Sequence, residues 1–206
     1  MSRSCQPSVR VEDNFSLRQH RSVYAQTMLK AVKSEELTAT GLRFGIVASK
    51  YNARYVDAML AAAQKTLTEA GGAVEVWRVP GAFEIPVVAA TLAQKADEPL
   101  AAIICLGVIL RGATAHAQHI GETVSYALAR IQVKHGKPVI HEVLLLENEA
   151  QAKARCLGAK HNRGREAALT AIEMAHVMKR FADEEEAKRR AWWARVEARR
   201  KAIHHE

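Results

Sequence analysis

Short apolar runs alternate with stretches in which apolar residues recur every three or four positions, and this alternation covers residues 41–181. The first run, RFGIVA at 43–48, is too short and too β-branched for a helix and predicts a strand. Asn52 is placed to cap a helix, and Val56, Met59, Leu60, Ala63 and Leu67 then keep a helical period until Gly71 and Gly72 stop it. Residues 73–79 predict a second strand and Pro80-Gly81 a turn. Pro86 suits the first turn of a helix bearing Ile85, Val88, Ala89 and Leu92. The almost wholly apolar run at 101–106 predicts a strand covered on both faces. A loop at 107–115 leads to a long helix with Ile120, Val124, Ala127, Leu128 and Ile131 on one stripe. Gly136 and Pro138 introduce a strand at 139–145, followed by a short helix near 149–156 and a final helix from about 165.

Strand–helix repetition of this kind implies the α/β class, with right-handed crossovers and helices on both faces of a parallel sheet. The expected architecture is a three-layer α/β/α sandwich on a four-stranded flavodoxin-like sheet. Residues 1–40 are polar and weakly patterned, an N-terminal extension expected to be flexible, with a short helix suggested near 24–32. Residues 182–206 are dense in charge and read as a helical extension of the last helix.

Composition narrows the function classes. The formal net charge of +8 invites a nucleic-acid reading, but the positive excess gathers at the two ends and no recognition motif accompanies it, so no nucleic acid is expected. Cys5, Cys105 and Cys156 form no C-x-x-C pair, which argues against a disulfide framework or zinc knuckle and for a reducing, cytoplasmic setting. No apolar run approaches the roughly 20 residues that cross a bilayer, so no membrane is expected. Ser and Arg near the start suggest an organellar transit peptide, which Glu12, Asp13, Glu35 and Glu36 oppose.

Ligands of open parallel sheets sit beyond the carboxyl ends of the strands, which directs attention to three loops. In SKYN at 49–52, Tyr51 can stack on a planar ligand or simply cover the helix start. In VPGAFEIP at 79–86, Glu84 can accept from sugar hydroxyls or act only as a helix-dipole partner. In GVILRGATAH at 107–116, Gly112 permits close approach, and the amides of Ala113 and Thr114 open onto a helix N-terminus suited to phosphate. Thr114 adds a hydroxyl donor or a cap. His116 would stand within reach of that anion and could shuttle protons; alone it is a surface histidine. His116 and His119 mimic a metal pair without an evident third ligand. Arg155 is a phosphate fork or a solvated helix residue.

The motifs at 79–86 and 107–116, with ENEAQAKAR at 147–155, NRG at 162–164 and AIEM at 171–174, resemble the lumazine synthase family over residues 41–181. The resemblance implies a transferase of riboflavin biosynthesis that needs no metal or redox cofactor. Its small-molecule substrates would be 5-amino-6-(D-ribitylamino)uracil and 3,4-dihydroxy-2-butanone 4-phosphate. It further implies that Tyr51 stacks on the pyrimidine, that Ala82, Phe83 and Glu84 line the ribityl chain, and that Val108, Ile109 and Leu110 bound the pyrimidine edge. Ala113, Thr114, Arg155 and Arg163 would hold phosphate, and His116 would move protons. In the family the site lies between subunits of a pentamer, so Arg155 and His141 would come from the neighbouring chain. Pentamers can close into an icosahedral shell of sixty subunits and can associate with riboflavin synthase. Departures are His141 and Val108, where the family carries Phe and Thr, and Ala159 and Arg163 in place of two lysines. His141 and Val108 motivate the alternative of a diverged homologue that binds flavin or lumazine, or builds a shell, with little catalysis.

Overall fold

A computed structural model describes residues 38–97, 99–158 and 161–203; the helix suggested near 24–32 lies outside them. The elements follow the order β1 (Arg43–Ser49), α1 (Ala53–Glu69), β2 (Ala73–Val79), a 3₁₀ turn (Ala82–Glu84), α2 (Ile85–Ala93), β3 (Ala102–Leu110), α3 (His116–His135), β4 (Val139–Leu146), α4 (Glu149–Cys156) and α5 (Arg163–Ile203). The four strands are parallel and lie in the order β2-β1-β3-β4. Each crossover carries a helix, as parallel neighbours require.

Both faces of the sheet are covered, which is why its central strands read as continuous apolar runs. On one face Phe44, Ile46, Ile104 and Leu106 meet Val56, Met59 and Leu67 of α1 and Ala171 and Ile172 of α5. On the other, Val47, Ile103 and Cys105 meet Ile85 and Leu92 of α2 and Val124 and Leu128 of α3. Burying a side chain of Ile, Leu or Phe size contributes about 1.5–3 kcal/mol, so these two layers hold the sandwich together. The result is the three-layer, flavodoxin-like arrangement expected from the alternation.

One strand is longer than its pattern suggested. The segment from Gly107, expected to be loop, stays in β3 to Leu110. The cause is its partner: β4 still pairs with β3 at Leu110–Leu146, whereas β1 pairs last at Ala48–Leu106. β3 therefore outruns β1 by four residues at the carboxyl edge, and the step it leaves is where a ligand can sit.

The last helix starts against the backbone of the first. Asn162, buried, donates through Nδ2 to the Cys156 carbonyl at 2.5 Å and accepts from the Gly164 amide at 2.8 Å, which joins α4 to the start of α5. A Cβ on Gly164 would lie 1.9 Å from the Met59 carbonyl oxygen. Beyond Met178, α5 leaves the body, and every residue from Lys179 to Arg195 is exposed. Among the described residues no helix is long and apolar enough to cross a membrane.

The Gly164 contact makes a direct prediction. Gly164→Ala must push α5 off α1, at a cost of roughly 3 kcal/mol, read as a lower denaturant midpoint with unchanged slope.

Candidate active site

The sheet reverses its strand order between β1 and β3, the place where an open α/β sheet leaves a crevice. A cavity of about 680 Å³ lies there. Its lining joins the three loops: Tyr51 and Asn52 after β1; Gly81, Ala82, Phe83 and Glu84 after β2; Val108, Ile109, Leu110, Gly112 and Thr114 from β3 onward. The first two turns of α3 close it with His116, Ala117, His119, Ile120 and Thr123.

Backbone and side-chain bonds fix the loops to one another. The amides of Lys50 and Tyr51 donate to the carbonyls of Val79 (2.8 Å) and Pro80 (3.2 Å), stapling the first loop to the second. Arg78 donates to the Ser49 carbonyl at 3.0 Å and pairs with Asp57 at 2.7 Å. Asn52, expected to cap α1, does not: its side chain donates instead to the Val108 carbonyl at 2.7 Å, across the step between β1 and β3. Its backbone takes the left-handed conformation, φ 54°, the only non-glycine described residue to do so. Asn tolerates that region better than most side chains, so one residue both turns the loop and anchors it.

Glu84 is likewise committed within its loop. The carboxylate accepts from the Gly81 amide at 2.9 Å in a capping arrangement. A Cβ on Gly81 would sit 2.9 Å from that carboxylate and 3.4 Å from the Tyr51 ring, so glycine is what lets the two pack over the turn. Glu84 also lines the cavity. Tyr51 (73% exposed) and Phe83 (57%) present bare aromatic surface at its mouth, the kind that covers a flat ligand.

At the other end lies the start of α3. No side chain caps it, and its first bond runs from the His119 amide to the Ala115 carbonyl at 3.1 Å. The amides of His116, Ala117 and Gln118 precede that bond, and with the helix dipole they favour an anion. Space above Gly112 is open: a Cβ there would meet no atom within 4 Å. Ala113 stands between two lining residues without lining the cavity itself. Arg111, whose amide donates to Leu146 at 2.8 Å, turns its side chain to Glu147 at 3.0 Å and away from the anion position.

Three residues assigned by the sequence stand off the cavity of this chain. His141 is exposed on β4, with Nε2 2.8 Å from Ser125 Oγ. Because that hydroxyl donates to the Gly121 carbonyl at 2.7 Å, it accepts from His141, whose Nε2 therefore carries the proton. Arg155 is exposed on α4. Arg163 is engaged by Glu142 at 3.2 Å and Glu166 at 2.5 Å. Glu142 is a buried carboxylate that the sequence reading passed over. Its Oε2 lies at ion-pair distance from Arg163 without an aligned hydrogen bond. Burial pushes its carboxyl up to about 7; Arg163 and Arg155 oppose the rise and Glu166 adds to it. The buried thiols offer no nucleophile: burial raises Cys105, and raises Cys156 to about 11 with help from Glu142.

The arrangement can hold a planar heterocycle under aromatic surface, hydroxyls at Glu84 and an anion at the helix start, with His116 between them. Among the described residues no three His, Cys, Asp or Glu side chains gather as metal ligands. A family profile described as 6,7-dimethyl-8-ribityllumazine synthase matches residues 41–179. Proteins of that name are similar over nearly their whole length. The one from Aquifex aeolicus (strain VF5) is 45% identical over 148 residues, 70% of this chain and 94% of that protein. The one from Xylella fastidiosa (strain 9a5c) is 42% identical over 149 residues, 71% of this chain and 96% of its own.

Two predictions follow from the loop anchor and the buried carboxylate. Asn52→Ala should cost about 2 kcal/mol in chemical denaturation, combining a lost hydrogen bond with left-handed strain, while Asn52→Gly should recover the strain part. Glu142 holds its proton more tightly folded than unfolded (from 4.5 to about 7), so the stability it confers is complete below pH 4.5 and is lost as pH rises through 7. Glu142→Gln should therefore gain on the parent chain across that window, by a few kcal/mol at most, and level off above it. Denaturant titrations at stepped pH will read the difference.

Proposed function

The chain belongs to the 6,7-dimethyl-8-ribityllumazine synthase family, and on that premise we propose that it makes 6,7-dimethyl-8-ribityllumazine in the cytoplasm. The reaction, a transferase step of riboflavin biosynthesis, joins 5-amino-6-(D-ribitylamino)uracil to 3,4-dihydroxy-2-butanone 4-phosphate and releases phosphate and water. The catalytic unit is the α/β body, residues 41–181.

The observation that carries this reading is the single cavity that joins Tyr51, Glu84 and His116 to an uncapped helix start. Tyr51 stacks on the pyrimidine, Phe83 and Glu84 receive the ribityl chain, and Val108, Ile109 and Leu110 bound the heterocycle edge. Thr114 and the amides from Ala113 onward take the phosphate. His116 moves protons as the imine forms, phosphate departs and the ring closes. Holding both reactants in register supplies a large part of the rate.

The described cavity lining contains neither Lys nor Arg. A doubly charged phosphate calls for a fixed cation, and Arg155, exposed and outside this cavity, supplies it from a neighbouring subunit, with Arg163 behind it. His141 of the neighbour forms the far wall of the pyrimidine slot. The functional assembly we propose, from the resemblance to the family, is a pentamer. An icosahedral shell is its larger closed form, and riboflavin synthase is the partner that takes up the product.

Mixing both substrates with the purified chain and following lumazine absorbance tests the assignment. His116→Ala should lower kcat ~100-fold or more. Arg155→Ala should raise KM for the phosphate substrate roughly tenfold or more and leave the pyrimidine's nearly unchanged. Tight flavin binding without turnover would sink the enzyme reading in favour of a binding homologue.

A further inference from the structure

Helix α5 continues well past the last residue that packs on the body. From Lys179 to Ile203 it extends about 37 Å at the helical rise. Helices in proteins draw most of their stability from packing of one face, and the intrahelical pairs Glu185–Lys188 and Glu186–Arg190 add only a few tenths of a kcal/mol each. Yet the segment displays large apolar side chains, with Phe181 59%, Trp192 51% and Trp193 54% exposed. Exposed aromatics on a stretch of helix whose residues 179–195 are all exposed indicate an interaction surface.

The order of the charges identifies its partner. Asp183, Glu184, Glu185 and Glu186 form an acidic block, whereas Lys188, Arg189, Arg190, Arg195, Arg199 and Arg200 follow as a basic one. Positions 181, 185, 188, 192, 195 and 199 recur at alternating spacings of four and three and so share one face. That face reads Phe181, Glu185, Lys188, Trp192, Arg195, Arg199. Laid parallel and in register on itself, it opposes Glu to Glu, Lys to Lys and Arg to Arg. Laid antiparallel about position 190, it sets Glu185 against Arg195, Lys188 against Trp192 and Phe181 against Arg199. Every opposed pair is then an ion pair or a cation over an aromatic face.

We propose that the α5 tails of two copies of this chain pair antiparallel through the Phe181–Arg199 face. The pairing is independent of the chemistry in the cavity and links chains outside the α/β body. With charge in every layer, it loosens as salt rises.

Disulfide trapping in a Cys5→Ser background tests it, since Cys105 and Cys156 are buried and stay silent. Phe181→Cys and Arg199→Cys chains, produced together and gently oxidised, should give a covalent dimer. Either variant alone should give none, because its two cysteines would stand about 27 Å apart in the antiparallel pair. Adding Glu185→Arg should cut the dimer several-fold, and adding Arg195→Glu to that variant should restore it. A dimer from either cysteine variant alone, none from the two together, or no restoration by the double charge exchange would overturn the proposal. An unchanged denaturant midpoint in each variant shows that the body remains folded.

Discussion

The site depends on one mismatch in the sheet: β3 has a partner on one side only beyond Leu106. β4 keeps it extended to Leu110 while β1 has already turned away at Ser49. A strand that loses one neighbour exposes a row of backbone groups, and a folded chain must satisfy or use them. Here Asn52 takes the Val108 carbonyl, and the rest of the edge faces the cavity. The step also sets the separation between the aromatic end and the anion end, because Tyr51 sits where β1 stops and α3 begins only after β3 has run on.

The same mismatch explains what could be read from the sequence and what could not. The alternation fixed the elements because each crossover helix has a clear apolar stripe, and the two glycine-bearing loops marked the carboxyl edge. Residues 107–110 were misassigned because glycine begins them, and the pairing that keeps them in strand belongs to β4, more than thirty residues away. Asn52 misled for a related reason. Its position before α1 is that of a cap, but a side chain bonds where the tertiary structure puts the better acceptor, here 56 residues on. Glu142 left no signal, since on an edge strand a lone carboxylate reads as solvated until α5 covers it with Arg163.

That buried pair has a consequence for Arg163. A guanidinium held by Glu142 and Glu166 is a poor free cation for a ligand, because drawing it away would leave a carboxylate buried without a partner. Arg155 carries no such commitment: it sits on the exposed side of α4 and only biases Glu142 through space. Of the two arginines, Arg155 is therefore the one free to take the proposed phosphate role, whereas Arg163 is committed to the contact between α5 and β4. The His141–Ser125 bond works in the same direction on the other face of β4. With Nε2 donating to Ser125, the ring is fixed in one orientation and presents Nδ1 as an acceptor, which a phenylalanine wall would lack.

A cavity whose own chain contributes neutral donors, a helix dipole and histidines, but no Lys or Arg among its described lining residues, is electrostatically half of the proposed phosphate site. Backbone amides at a helix start hold an anion well, yet a doubly charged group also needs a counter-charge that does not titrate near neutrality. Placing that charge on a second chain has a physical advantage. Arg155 can stay hydrated until two subunits meet, so neither chain alone bears the cost of a buried, unpaired cation. In the proposed assembly catalysis is conditional on subunit association, and the body's packing need satisfy only the groups each chain keeps for itself. On the proposed reading, that division accounts for a core complete within one chain beside a cavity with no Lys or Arg among its described lining residues.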